Sequence, residues 1–224
     1  MLMRKNYSPA FYRIAPFVGY LVILALESQA QHLFAGFDVH WLYPLKILLV
    51  MSMLVTFRQF YTELRGFKFS LGDAVLSLGL GLLVFVVWVG LDFSWAVIGA
   101  PGAGYDPRTA GQVDWLLAGM RIAGAALVVP LMEELFWRSF VMRWMDKSDF
   151  LSASPAAVTW RAVLISSAVF GFEHHQWLAG IFAGLVYAWL YRRTGQLHYA
   201  IFAHAVTNGA LGVWVLTTGQ WHYW

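Results

Sequence analysis

Three short segments carry the side chains capable of chemistry. PLMEELFWRSF places Glu133 and Glu134 side by side, with Arg138 four residues beyond the second. Residues four apart on a helix share a face, so Glu134 and Arg138 can form an ion pair, while Glu133 points about 100° away. One carboxylate is then matched by a guanidinium and the other is left to face a cavity, which gives two adjacent acids different proton affinities. VFGFEHHQW puts Phe170 and His174 on one face, flanked by Glu173 and His175, and IFAHAVTNGA does the same for His204 and Asn208. Carboxylate, imidazole and carboxamide together can hold a water molecule, take its proton and hydrogen-bond to a developing negative charge.

Other chemistries are excluded by what the sequence lacks. There is no Cys, hence no disulfide, thiolate nucleophile or Cys-ligated metal. The GxSxG signature of a serine hydrolase and the HExxH pattern of a zinc peptidase do not occur. Asp106 follows Tyr105 in a Gly/Pro loop, not on a helix. Each segment also has a plainer reading. Arg138 can snorkel from a helix end, Glu173 to Gln176 can form a turn at a membrane surface, and His204 with Asn208 can be an interhelical hydrogen-bond pair.

The elements that must position these residues are membrane helices. Of 224 residues, 60% are hydrophobic and 12% charged, against about 25% charged in soluble chains. Mean hydropathy is +0.61, and 12 Trp, 17 Phe and 10 Tyr add bulk that no water-facing surface accommodates. The chain is expected to be all-α, a polytopic transmembrane helical bundle of about seven spans: 14–30, 41–57, 72–98, 114–140, 161–175, 177–191 and 196–217. The fifth and sixth are short and separated only by His175, Gln176 and Trp177, which predicts a tight hairpin. The third is rich in glycine (Gly72, Gly79, Gly81, Gly90, Gly99), which predicts close helix approach. Residues 99–113 read as a loop, and Pro130 is expected to loosen the fourth span. Two regions follow within one integral-membrane domain: 1–113, without motifs, and 114–217, with all three.

Eleven of the 15 Lys and Arg fall in segments on one side: Arg4, Lys5, Arg13, Arg58, Arg65, Lys68, Arg143, Lys147, Arg161, Arg192 and Arg193. Arg108 alone falls on the other, and Lys46, Arg121 and Arg138 lie within spans. This bias puts the N-terminus in the cytoplasm and the C-terminus outside. It also explains the pI of 9.2 as topology, with no nucleic-acid partner. Glu27, Ser28, Gln29 and Gln31 after the first apolar run argue against a cleavable leader.

Depth connects the three segments. Glu133 is ten residues from Arg143, His174 thirteen from Arg161 and His204 eleven from Arg193. At about 1.5 Å per residue all three lie roughly 15–20 Å in. Ionisable groups at that depth cost about 2.5–3.5 kcal/mol each on insertion scales and require partners or a water-filled cavity. Three helices bringing Glu, His and His to one layer is what a single site requires.

In this order, Glu133-Glu134-x-x-x-Arg138, Phe170-x-x-x-His174 and His204-x-x-x-Asn208 resemble the three motifs of the CPBP (Abi) family, which includes the Ras-converting CAAX proteases, intramembrane endopeptidases. The texture of GIFAGLVYAWLYRRTGQLHYAIFAHAVTN is similar, and the resemblance covers about 114–212. It implies a CAAX-protease-like bundle in a bacterial inner membrane, cleaving a membrane-anchored protein or peptide substrate near its C-terminus. It implies Glu133 as base on water, His174 helping to hold that water, His204 and Asn208 stabilising the oxyanion, and Glu134 and Arg138 ordering the site. No cofactor is expected; the alternative is zinc held by Glu133, His174 and His204. Glu173 and His175 depart from the family pattern, and the doubled His is similar to proteins of bacterial exosortase systems. Because the family also holds immunity and scaffold proteins, a non-catalytic membrane role is the rival expectation.

Overall fold

The computed structural model describes residues 7–33, 39–100 and 104–224; Arg4, Lys5 and the side chains of Ser28, Gln29 and Gln31 lie outside the described residues. Seven helices follow among them: α1 (Pro9–Leu33), α2 (Leu42–Phe57), α3 (Leu71–Gly90), α4 (Trp115–Trp144), α5 (Trp160–Phe172), α6 (Trp177–Thr194) and α7 (Leu197–Thr218). The chain is an all-α membrane protein. Helices α1, α2, α3, α4 and α7 contain stretches long and apolar enough to cross a bilayer. Helix α5, with 13 residues, does not. Helix α6 is 18 residues long and carries Arg192 and Arg193 in its last turn.

Local chemistry sets the helix boundaries. Ser70 caps α3 by accepting from the Asp73 N–H, Asp114 caps α4 by accepting from Leu116 and Leu117, and Thr159 caps α5 by accepting from Ala162. Helices α6 and α7 end at Gly195 (φ 68°) and Gly219 (φ 70°), left-handed conformations that a Cβ would strain.

Two expectations are corrected. The third span was expected to reach residue 98, but α3 stops at Gly90. The Gln176 amide donates to the Trp88 carbonyl at 2.9 Å, satisfying one of the acceptors that a helix end exposes. Residues beyond it run as a loop that is clipped to the α5–α6 turn, where Ile98 N–H donates to the His175 carbonyl (2.8 Å) and His175 Nδ1–H donates to the Ile98 carbonyl (2.6 Å). Of the glycines expected to admit a neighbour, only Gly81 on α3 does so closely, since a Cβ there would sit 2.4 Å from the Ala203 carbonyl on α7. Gly79 and Gly90 have nothing within 4 Å. Within the 99–113 loop, β1 (Arg108–Thr109) and β2 (Gln112–Val113) make a two-residue antiparallel hairpin.

The α5–α6 hairpin packs tightly, as predicted. It does so where Gly180 comes close enough to Gly171 that a Cβ would lie 2.9 Å from the Gly171 Cα. Helix α7 runs against α3, α4 and α6, in a core that includes Val84, Met132, Leu135, Phe170, Tyr187, Leu190 and Ala203. At the end of the bundle that holds the start of α1 and the close of α4 a polar knot is buried. Arg13 of α1 grips Glu63 through Nε (2.8 Å) and Nη2 (2.5 Å), Ser139 of α4 donates to Glu63, and Arg143 donates to Tyr191 (3.3 Å) and to the Leu151 and Ala153 carbonyls.

Candidate active site

Helix α4 is not a uniform α-helix. Residues Gly124–Val128 and Leu135–Val141 adopt wider π turns, bracketing the short α-helical stretch Val129–Glu134. Pro130 explains part of this. The Val129 N–H bonds to the Gly124 carbonyl, five residues back, and the matching partner of the Ala125 carbonyl would be residue 130, which as proline has no N–H. The Asn208 amide of α7 donates to Ala125 O instead, at 2.8 Å. Pro130 thus loosens the helix as expected and leaves an acceptor that anchors a site residue on another helix.

The two glutamates separate as the helical phase requires. Glu134 is fully buried (0% exposed), with Oε2 3.2 Å from Arg138 Nε and Oε1 2.9 Å from His204 Nδ1. Arg138 is held further by the Gly184 carbonyl (3.4 Å) and by the Phe170 face beneath its guanidinium (4.2 Å). Glu133 turns the other way, into a cavity of about 180 Å³ that His174, His204 and Asn208 also line. Its Oε2 is buried without a hydrogen-bond partner and lies 3.9 Å from His204 Nε2.

Both imidazoles have one nitrogen committed. His174 Nδ1 lies 2.9 Å from the Phe170 carbonyl; a carbonyl only accepts, so Nδ1 carries the proton and Nε2 has a free lone pair. His204 Nδ1–H donates to the Glu134 carboxylate in the same way, which leaves its Nε2 on the Glu133 side. The structure therefore brings all six residues expected at a site, Glu133, Glu134, Arg138, His174, His204 and Asn208, into one cluster with one cavity.

Several neighbours escaped the sequence reading. Tyr187 of α6 stacks on His204 (centroids 4.8 Å, 16° between planes), and its hydroxyl donates to Thr207 (2.8 Å), which donates to the Gly81 carbonyl (2.8 Å). Trp88 meets His174 edge-on at 5.3 Å. Glu173 accepts from Trp137 Nε1 at 3.0 Å, and His175 holds the 91–98 loop. Both residues beside His174 therefore have structural partners. Tyr20, Arg121 and Trp224 line the cavity and also a wider opening of about 880 Å³ beyond it.

Residues 115–210 match the family model described as Type II CAAX prenyl endopeptidase Rce1-like, and they contain all three motifs. This segment is similar to the CAAX-protease (CPBP) family. Its α4, α5 and α7 are the helices that carry the motifs, and α6 is the helix that packs them together. A curated relative, described as "Putative membrane peptidase YdiL" of Bacillus subtilis (strain 168), is 26% identical over 143 residues, which is 54% of this chain. The chain spans about half of that relative's length, 55%. No solved structure matches. Residues 7–100, outside the matched segment, supply Tyr20 and Trp88 to the cavity wall.

Proposed function

We propose that the protein is an intramembrane endopeptidase that hydrolyses a peptide bond of a membrane-anchored protein near its C-terminus. The observation that carries this reading is the unpartnered Oε2 of Glu133, buried in a cavity beside the free Nε2 of His204. A buried carboxylate oxygen requires a partner, and water or substrate entering the cavity supplies one. Water placed between Glu133 and His174 Nε2 gives up a proton to Glu133 as its oxygen attacks the substrate carbonyl. The oxyanion is met by the second amide hydrogen of Asn208, the first being held by Ala125, and by Nε2–H of His204 in its imidazolium form, whose Nδ1–H the Glu134 carboxylate holds. Glu133 then returns the proton to the departing amine. Glu134 and Arg138 act through His204, fixing its ring and tautomer.

The hydrolysis is read as metal-free. The motif residues lack a short-spaced ligand pair of the HExxH type. Zinc bound by Glu133, His174 and His204 is the competing mechanism. The Lys/Arg bias supports an N-terminus in the cytoplasm of a bacterial cell, with the wide opening then facing outward. The membrane proteomes of cells carrying the native protein and the Glu133→Gln variant test the activity. A membrane protein that loses a C-terminal fragment only with the native protein is expected. Identical proteomes, with the variant retaining the cellular role, would favour a scaffold or immunity role instead.

A further inference from the structure

Arg121 lies on the outer part of α4, at the junction of the Glu133 cavity and the wider opening, and lines both. Its guanidinium sits 4.2 Å from the Tyr43 ring centroid, 5.8 Å from that of Tyr105 and 5.9 Å from that of Trp224. Its Nε is buried without a hydrogen-bond partner, and among the described residues no ion pair reaches it. Two ion pairs account for Lys46 and Asp106 at the opening. Lys46 Nζ lies 2.8 Å from Glu27 Oε2, and Asp106 Oδ2 lies 2.5 Å from Arg108 Nη2. Among the described residues Arg121 is thus a cation without an anionic partner, held by aromatic faces that attract it in surroundings of low dielectric that strengthen its attraction for an anion. A planar guanidinium fits a carboxylate with two parallel hydrogen bonds. Arg121 is twelve residues from Glu133 on one helix, about 18 Å, the length of about five residues of extended peptide.

We propose that Arg121 is a specificity residue that binds a carboxylate of the substrate about five residues from the bond cut at Glu133. This rests on the peptidase reading above. The carboxylate comes either from the substrate's own C-terminus, in which case a short peptide is released, or from an acidic side chain.

The test separates these sources and does not depend on turnover. Dansyl-labelled decapeptides of Leu, Ala and Gly are prepared as the free acid, as the C-terminal amide, and as that amide with one internal Glu. Their binding is measured on purified Glu133→Gln protein, alone and combined with Arg121→Gln or Arg121→Lys. One carboxylate form should bind about tenfold more tightly than the plain amide, a difference of about 1.4 kcal/mol. Preference for the free acid identifies the C-terminus as the source, and preference for the Glu peptide identifies a side chain. Arg121→Gln should erase the preference and Arg121→Lys should keep part of it. Equal binding of all three peptides to the Glu133→Gln protein overturns the proposal without reliance on an Arg121 variant, as does a preference that survives Arg121→Gln. A carboxylate preference in a protein that cuts nothing counts against the peptidase reading alone. Cleavage with no such preference counts against Arg121 alone.

Discussion

His204 Nδ1 lies 2.9 Å from Glu134 Oε1 in a part of the bundle closed to solvent. The carboxylate that pairs with Arg138 is therefore also the one that sets the imidazole. Glu134 holds two site residues in place, and Glu133, one position earlier, holds none. The two acids should fail in different ways when changed.

Glu133→Gln keeps the shape and disturbs no paired group, so the protein should melt like the native one. Its turnover should fall by at least about 10²–10⁴-fold, the usual contribution of a general base. Glu134→Gln leaves Arg138 buried beside a neutral amide. Breaking such a pair costs about 3–5 kcal/mol, which is roughly 10 °C in Tm at about 2–4 °C per kcal/mol for this chain length. Melting curves and a cleavage assay on both variants check this. A stable but inactive Glu134→Gln beside an unstable Glu133→Gln would reverse the roles.

Pro130→Ala gives residue 130 an N–H that can reach the Ala125 carbonyl. The helix gains a backbone hydrogen bond, and Asn208 loses its exclusive claim on that acceptor. Tm should rise while cleavage falls, by up to about 10²–10³-fold if the amide swings away from the oxyanion. A rise in both would show that the π turn has no part in positioning Asn208.

Metal dependence is decided by chelation. The metal-free reading expects cleavage by purified protein to survive exhaustive removal of divalent ions. Activity that disappears, and returns with one equivalent of zinc, would make His174 and His204 ligands and Glu133 a ligand in place of a base.

Orientation has its own measurement. A reporter fused after Trp224 is expected to behave as external. With a cytoplasmic signal, the wide opening lined by Arg121 would face the cell interior, and substrates would have to arrive from there.

Much of this arrangement was legible in the sequence because it depends on spacing. Glu134 and Arg138 pair because four residues make just over one turn, and Glu133, His174 and His204 meet because each lies a similar distance from a basic flank. What the sequence hid depends on contacts between helices. Tyr187 looks like one more aromatic in an apolar run, and only the packing of α6 against α7 turns it onto His204. The third span appeared to continue past Gly90 because Leu91, Phe93, Trp95 and Val97 are as apolar as a helix; the carbonyl that Gln176 occupies belongs to a residue 88 positions away. The π turns of α4 leave only Pro130 as a trace, and a proline alone does not say which carbonyl it frees.

Glu63 lies between α2 and α3, distant in sequence from every motif, yet it joins Arg13 of α1 to Ser139 of α4, one turn from Arg143. The motif helix is thereby rooted in the half of the protein that carries no motif. A chimaera spliced near residue 113, made to graft the front helices of one relative onto the back helices of another, would cut through this knot. Such hybrids can be expected to succeed only when the donor's counterparts of Arg13 and Glu63 suit the recipient's counterparts of Ser139 and Arg143, so that the two halves are inherited as a matched pair.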